Sequence, residues 1–354
     1  MVTAVSLADF RSYARLDVEL ARGLVLVTGP NGAGKTNLLE ALHVGTQGFS
    51  PRARSDAQLI RFGRPAARIA LEGVRSHNVP IALEVVLRQG AARQGSLNGS
   101  RLRAAEQLRT EVSTLVFTPD RLAVVKGAPA VRRAYFDRVV GRLFPARASL
   151  AAAYGAALGQ RNAALRRVGL GLSSRDALAP WTTRVAELGS ELVASRREVL
   201  DALAPAFAAR AFELGLGDGA LVYEGEPSTE AALAERLERD LERGVTGAGP
   251  HLHDVAIRAG DRELRSYGSQ GEQRVAVLAL LLGEADLLAD RRGEPPLLLL
   301  DDVLSELDDG RRRALLGRLP AGAQAVVTAT SATLAPIAAE QVLEVGGGTV
   351  RMHA

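Results

Sequence analysis

The residues Gly29-Pro30-Asn31-Gly32-Ala33-Gly34-Lys35-Thr36 fit the spacing G-x-x-x-x-G-K-[ST] in full. Phosphate binding asks for each part of that pattern. Glycines let successive backbone N–H groups curl around phosphate oxygens, and the N-terminus of a following helix adds partial positive charge. A lysine reaches the β- and γ-phosphates, and a hydroxyl can ligate Mg2+. Lys35 and Thr36 stand in the last two places, with Asn37 next. The chain writes arginine for nearly all its cations, Lys126 being the other lysine, so a compact ammonium at Lys35 is informative. A glycine-rich turn matching by chance is the bland alternative, and the strand before and helix after the motif speak against it.

A second constellation lies far downstream. Leu297-Leu298-Leu299-Leu300-Asp301-Asp302 reads as a buried strand ending in two acids. In a phosphate-loop enzyme the first, Asp301, would join Thr36 in the metal shell, and Asp302 would sit where a base orients water. By themselves such acids are equally suited to capping the next helix. Upstream, Tyr267-Gly268-Ser269-Gln270-Gly271-Glu272-Gln273-Arg274 opens an apolar helix. That turn offers Ser269 and backbone N–H groups to an anion, although a serine with an acid three residues on is also a plain capping box. Order decides between the readings: phosphate loop, long insertion, Ser-x-Gly-Glu-Gln turn, helix, acidic strand, then Ser305-Glu306-Leu307-Asp308.

The elements that must position these groups follow from periodicity. Val2–Leu7, Ala14–Leu20 and Leu24–Thr28 read as strands, and a helix begins near Gly34 with Leu38, Leu39 and Leu42 on one face. Arg68–Val74, Ile81–Leu87 and Ser113–Phe117 read as further strands, with Asn98-Gly99 a hairpin turn. From about Val131 to Arg243 the texture is helical: Val131–Leu143, Ser149–Arg167, Ala177–Leu214 interrupted at Pro180 and Pro205, and Thr229–Arg243. Strand signals return at His253, then a helix over Gly271–Leu288, a strand over Pro296–Leu300, a helix after Asp308 and a strand over Gln324–Thr328. A short helix and a terminal strand pair complete the expected α/β half.

Composition bounds the rest. Apolar content of 47% with 24% charged residues is that of a globular chain. No apolar run approaches the roughly 20 residues of a membrane span, and Asp9 and Arg11 interrupt any export signal core, so a cytoplasmic protein without a membrane partner is expected. Cysteine is absent, which removes disulfides, thiolate catalysis and cysteine zinc sites. The net charge of +4 leans toward an anionic partner such as nucleic acid.

The order of motifs resembles the ABC-ATPase family. That resemblance implies an α/β ABC-ATPase head, a P-loop NTPase core on a mixed sheet with an inserted, mainly helical lobe, using ATP and Mg2+. Residues 1–120 and 249–354 would form the ATPase lobe and residues 121–248 the insertion. It also implies an ATP-dependent, head-to-head homodimer, in which Ser269, Gln270, Gly271 and Glu272 act in trans on the partner's nucleotide and Ser305 and Asp308 form the D-loop. Within that family the chain is similar to RecF. The segments that carry this are Leu7-Ala8-Asp9-Phe10-Arg11-Ser12-Tyr13, Thr36-Asn37-Leu38-Leu39-Glu40-Ala41, Gly127-Ala128-Pro129 with Arg132-Arg133-Ala134-Tyr135-Phe136-Asp137, Gln160-Arg161-Asn162-Ala163-Ala164-Leu165, Gly249-Pro250-His251 and Leu300 to Asp308. The resemblance implies that Arg11 lies near the nucleotide, and that the protein binds DNA at single-strand gaps, works with RecR and RecO to load RecA, and supports SOS induction. Its ATPase would be weak, DNA-stimulated and used as a switch.

Two departures qualify it. His251-Leu252-His253-Asp254 stands where RecF proteins usually have His-Arg-Asp-Asp, and Val327-Thr328-Ala329-Thr330 lacks the histidine that transporter ATPases place at this strand end. The missing γ-phosphate ligand points to slow turnover. Candidate DNA phosphate contacts are Arg132, Arg133, Arg161, Arg166 and Arg167, then Arg52, Arg54, Arg196 and Arg197; a solvated helix face is the competing reading for each, and for Arg161 a structural place in the helical lobe is another. An aromatic fraction of 4% disfavours a base-stacking platform. The alternatives are an SMC-like chromosome-organising head, opposed by the absent coiled coil, and a transporter nucleotide-binding subunit, opposed by the long insertion.

Overall fold

The structure, a computed structural model, describes residues 1–75 and 78–353. Its contacts divide the chain into a first unit, Met1–Asp120 with Leu288–Ala354, and a second, Arg121–Leu287. The first unit begins with β1 (Val2–Phe10), β2 (Tyr13–Glu19), β3 (Leu24–Thr28), α1 (Lys35–Gln47), β4 (Ala66–Val74), β5 (Pro80–Arg88), β6 (Gln94–Leu97), β7 (Ser100–Arg101) and β8 (Thr114–Phe117). The second unit holds α2 (Ala123–Lys126), α3 (Pro129–Leu143), α4 (Leu150–Gly169), α5 (Ala179–Glu213), β9 (Gly219–Glu224), α6 (Glu230–Glu235) and α7 (Leu237–Arg243). It continues with β10 (Asp254–Ala259), β11 (Arg262–Glu263), α8 (Leu264–Tyr267) and α9 (Gln270–Arg292), whose residues from Leu288 on count with the first unit. The chain then returns to the first unit through β12 (Leu297–Leu300), α10 (Asp309–Gly317), β13 (Ala325–Ala329), β14 (Gln341–Gly346) and β15 (Thr349–His353).

Two sheets build the first unit. One is antiparallel in the order β2-β1-β4-β5-β6-β7; the other runs β15-β14-β3-β13-β12-β8. In the second, β14, β3, β13, β12 and β8 are parallel neighbours and only β15 pairs antiparallel. Every residue of β3, β12 and β13 is buried, as expected for parallel strands covered on both faces. Helix α1 packs its Leu38, Leu39 and Leu42 into one core with Val25 and Val27 of β3 and Ile69 and Leu71 of β4. Parallel pairing sends the C-terminal ends of β3, β12 and β13 to the same edge, where a ligand crevice forms in open α/β sheets. The Asn98-Gly99 turn links β6 to β7 with both φ angles positive, 49° and 79°, as a two-residue hairpin demands.

The second unit corrects three expectations. Helix α5 runs unbroken for 35 residues, with Pro180 in its first turn and Pro205 inside it. Pro180 is tolerated where N–H groups have no helical acceptor. Pro205 removes one bond, but Leu203, Phe207 and Ala211 remain buried along one face, and that packing holds the helix together. The expected helix over Thr229–Arg243 is two, with Thr229 Oγ1 capping the first by accepting from Ala232 N–H at 3.2 Å. The insertion also contains a strand that helical periodicity concealed: β9 pairs antiparallel with β10 along its whole length, from Asp254 opposite Glu224 to Ala259 opposite Gly219. That ladder joins β10 to β9 within the second contact unit, which runs to Leu287.

Candidate nucleotide site

Gly29 and Gly34 shape the loop between β3 and α1. Gly29 has φ 143° and a Cβ there would lie 2.3 Å from the Val345 carbonyl oxygen; Gly34 has φ 114° and its Cβ would lie 2.9 Å from Ser12 Oγ. No other residue fits either place. Tyr13 donates from its hydroxyl to the Gly34 carbonyl at 3.0 Å, which pins the loop to β2. Gly34 stands at the N-terminus of α1 with no side chain capping the helix, so the first N–H groups of α1 are left for a ligand.

The Lys35 ammonium is buried and donates to the carbonyls of Gly29 at 2.6 Å and Pro30 at 3.0 Å. Burial lowers its pKa, while Asp302 and Asp301 act in the opposite direction. Thr36 donates from Oγ1 to Asp301 Oδ1 at 2.9 Å, so the two groups proposed to share a cation already touch. Burial raises the Asp301 pKa above its ordinary value, opposed by the hydroxyls of Thr328 and Thr36. The next residue, Asp302, adopts φ 50°, a left-handed conformation that aspartate tolerates better than most. Its Oδ1 is buried without a hydrogen-bond partner. Buried carboxylate oxygens without a partner are rare, and this one is open to a ligand or a water.

These observations fit MgATP. An unpaired acceptor, a lysine bonded only to carbonyls of its own loop and a bare helix N-terminus are the complement of a phosphate and a hydrated cation. Among the described residues no group of three or more His, Cys, Asp or Glu is placed to hold a metal. A cation here would therefore draw on Thr36, Asp301, water and the ligand's own phosphates, as Mg2+ characteristically does.

Arg11 lies in the β1–β2 turn and its guanidinium is engaged by Glu40, with Nε and Nη2 donating to the two carboxylate oxygens at 2.8 and 2.9 Å. The Glu40 side chain is fully buried and also accepts from Ser50 Oγ at 2.6 Å. A two-point guanidinium–carboxylate pair of this kind fixes orientation as well as position. Arg11, Ser12 and Asn37 then line a cavity of about 550 Å³ with Ile60, Arg61 and Phe62. Asn37 donates to Ser12 Oγ at 2.9 Å. Sequence reasoning did not single out Glu40 or Tyr13; a glutamate next to Leu39 in an apolar helix was the available signal for the first.

Ser305 donates to the Asp302 carbonyl at 3.1 Å, and Asp308 caps α10 by accepting from Arg311 N–H at 2.9 Å. These sit in the first unit with the phosphate loop and the acidic strand end. The Ser269–Glu272 turn belongs to the second unit. There Ser269 N–H donates to Glu272 Oε2 at 2.8 Å and Glu272 N–H donates to Ser269 Oγ at 3.2 Å, a reciprocal capping box. Glu272 also takes Arg262 at 2.9 Å. Ser269 and Gln270 are exposed at the head of the 23-residue α9.

Several arginines expected on the DNA surface have other work. Arg132 is 1% exposed, pairs through Nε and Nη2 with the two Asp254 oxygens, and donates from Nη1 to the Val125 and Gly127 carbonyls at 3.1 and 2.9 Å. Arg161, also 1% exposed, donates to Asp240 Oδ2 at 2.9 Å and Thr246 Oγ1 at 2.7 Å. Arg196 grips Asp137 at 2.7 and 3.0 Å and the Pro250 carbonyl at 2.7 Å. These three hold α3, α4, α5 and β10 together and present no charge to a polyanion. Arg133 is half-buried and donates to the His253 carbonyl at 2.7 Å. Arg166 and Arg167 remain exposed on α4, as do Arg52, Arg54 and Arg197 elsewhere. Leu252 is exposed, while His253 is buried and hydrogen-bonded through Nδ1 to the Tyr223 hydroxyl at 2.7 Å.

Comparison with known proteins extends the geometry. The sequence profile of the RecF/RecN/SMC N terminal domain matches residues 1–346. The DNA replication and repair protein RecF of Streptomyces avermitilis is 38% identical over 350 residues, 93% of each chain. That of Myxococcus xanthus is 36% identical over 378 residues, 99% of this chain and 97% of its own. Among solved structures, the recombination mediator protein RecF with ATP in the RecFOR pathway superposes with a TM-score of 0.89 at 25% identity, covering 100% of this chain and 97% of that one. An SMC head bound to the winged-helix domain of ScpA covers 99% of this chain and 97% of its own, with a TM-score of 0.61 at 16% identity, and shows the fold alone.

Proposed function

The chain belongs to the RecF/RecN/SMC family, on its RecF branch, and from this membership we propose that it is an ATP-switched DNA-binding protein of recombinational gap repair. Its fold is the mixed α/β head of SMC-like ABC ATPases. The observation that carries the ATP reading is the meeting of the phosphate loop with the Thr36–Asp301 pair and the unpartnered Asp302 Oδ1 at one sheet edge.

Each group then has a part. Lys35 leaves the Gly29 and Pro30 carbonyls to bond the β- and γ-phosphates, and the N–H groups opening α1 take the remaining oxygens. Arg11, held by Glu40, faces the nucleotide next to Asn37. Thr36 and Asp301 hold Mg2+, which when bound neutralises phosphate charge and orients the terminal phosphate. Asp302 positions the attacking water. Ser269, with Gln270, Gly271 and Glu272, closes on the nucleotide of a second protomer, so that ATP drives a head-to-head dimer on single-stranded or gapped duplex DNA. Slow hydrolysis releases it. The partners are DNA, RecO and RecR, with loading of RecA and SOS induction as the outcome, and the setting is cytoplasmic. Among the described residues no helix is long and apolar enough to cross a membrane.

Retention of gapped DNA with and without ATP tests this. Wild type should retain DNA far better with ATP, and Lys35→Ala should lose that gain while melting at the wild-type temperature. DNA retention that ATP leaves unchanged would remove nucleotide gating.

A further inference from the structure

We propose that Thr328 is a positioning residue for ATP hydrolysis, its single hydroxyl setting the two acids Asp301 and Asp302 at once. This rests on the ATP-hydrolysis reading above and adds to it a residue that the phosphate-loop and acidic-strand motifs do not include. The register of the parallel pair β12–β13 sets Leu300 beside Val327, so one residue further on the same pairing brings Asp301 beside Thr328. There Thr328 Oγ1 donates its proton to Asp301 Oδ1 at 2.9 Å and accepts the Asp302 N–H at 2.8 Å. The side chain is fully buried, so no water replaces either bond.

Both bonds matter for geometry. Asp301 Oδ1 receives two hydroxyl donors, Thr36 from α1 and Thr328 from β13, and the pair fixes the carboxylate's rotation. Asp302 has left strand geometry for φ 50°, a conformation that L residues enter at a cost and hold only when their surroundings enforce it. The peptide on its N-terminal side is held by Thr328, and its carbonyl accepts from Ser305 Oγ at 3.1 Å. With both sides fixed, Asp302 Oδ1 stays buried and unpartnered. Without the Thr328 hydroxyl, the Asp302 N–H would be a buried donor with no acceptor, and relaxing the backbone to satisfy it would turn the carboxylate away. Transporter ATPases place a histidine at the end of this strand; here the Thr328 hydroxyl, within the same strand β13, acts on the acids that end the neighbouring β12.

The test is Thr328→Val, which keeps the β-branch and the volume and removes only the hydroxyl, with Thr328→Ser as the variant that restores it. For Thr328→Val the expected result is a kcat lowered by roughly 10- to 100-fold, the loss of the bond to the Asp301 carboxylate and of the hold on the Asp302 N–H expressed at the transition state. The Kd for ATP should stay near wild type, and the Tm should fall only by what one unpaired Asp302 N–H costs. Because the step behind release is slowed, the ATP-bound dimer should also persist longer in light scattering. Thr328→Ser should recover most of the rate, and Thr328→Val should cost less in an Asp302→Asn background than in wild type, because only its hold on Asp301 is then left to lose. A wild-type rate in Thr328→Val would overturn the inference, as would parallel loss of ATP affinity and Tm that Thr328→Ser does not repair. A wild-type protein that binds no ATP would sink the functional reading itself, and this inference with it.

Discussion

Arg161 separates a structural from a DNA-binding reading most sharply. The Arg161 and Asp240 side chains are 1% and 2% exposed and meet at 2.9 Å. Arg161→Met leaves Asp240 buried with the Gly247 N–H, at 3.0 Å, to hold its other oxygen. Breaking one side of such a pair costs about 3–5 kcal/mol, and the surviving Gly247 bond argues for the lower end, about 3 kcal/mol. At an m-value of roughly 2 kcal/mol/M in urea, the midpoint should fall by about 1.5 M. The chain offers its own probe. Its one tryptophan, Trp181, lies in the first turn of α5, beside Thr182, whose hydroxyl accepts from Arg161 Nε at 3.2 Å. Trp181 fluorescence therefore reports unfolding of this unit without assuming that the whole chain melts as one. Arg161→Met with Asp240→Leu should recover much of the loss, because no charge is then stranded. A shift under about 0.5 M in urea, which is about 1 kcal/mol, together with a large fall in DNA affinity, would refute the argument and return Arg161 to the DNA surface.

Other predictions follow from the same packing. Arg166→Gln with Arg167→Gln should weaken DNA binding and flatten the plot of log affinity against log salt by about 0.9 for each phosphate no longer neutralised; an unchanged slope would exclude both from the phosphate track. His253 is pushed down to about 4, chiefly by burial and then by Arg196, against about 6.5 when unfolded. A lowered folded value means that acid favours the unfolded chain: as pH falls from about 6.5 toward 4, stability should drop by up to about 1.4 kcal/mol per pH unit, with no effect above that window. Trp181-detected urea midpoints at pH 7.5 and 5 should converge more closely in His253→Gln than in wild type, and equal differences in the two proteins would contradict the assignment. Asp302→Asn should bind ATP normally and turn it over at least about 100-fold more slowly; normal hydrolysis would remove Asp302 as the group that positions water.

Much of the fold was legible because its signals are local. The phosphate loop carries its own strand, turn and helix, and the strand expected at Leu24–Thr28 is observed with those bounds. The run of leucines before Asp301 could be read as a buried strand for the same reason. What escaped depends on pairing across the chain. β9 has an irregular burial pattern with few buried residues, so no periodicity announces it, and its existence is owed to β10, which follows only after α6 and α7. Pro205 was read as a break because propensity was weighed without the buried face around it. Arg132, Arg161 and Arg196 are ordinary arginines in sequence; only Asp254, Asp240 and Asp137, brought from elsewhere, make them interior. Thr328 was noticed for the histidine missing nearby, and its own two bonds required the β12–β13 register.

The most direct test of the account is the mass in solution, by light scattering, of wild type and Ser269→Arg with and without MgATP. Wild type should be a monomer without nucleotide and a dimer with MgATP, and Ser269→Arg a monomer throughout, because the exposed turn at the head of α9 must meet the partner's nucleotide. A wild-type protein that stays monomeric with MgATP, or a Ser269→Arg protein that dimerises as readily as wild type, would contradict it.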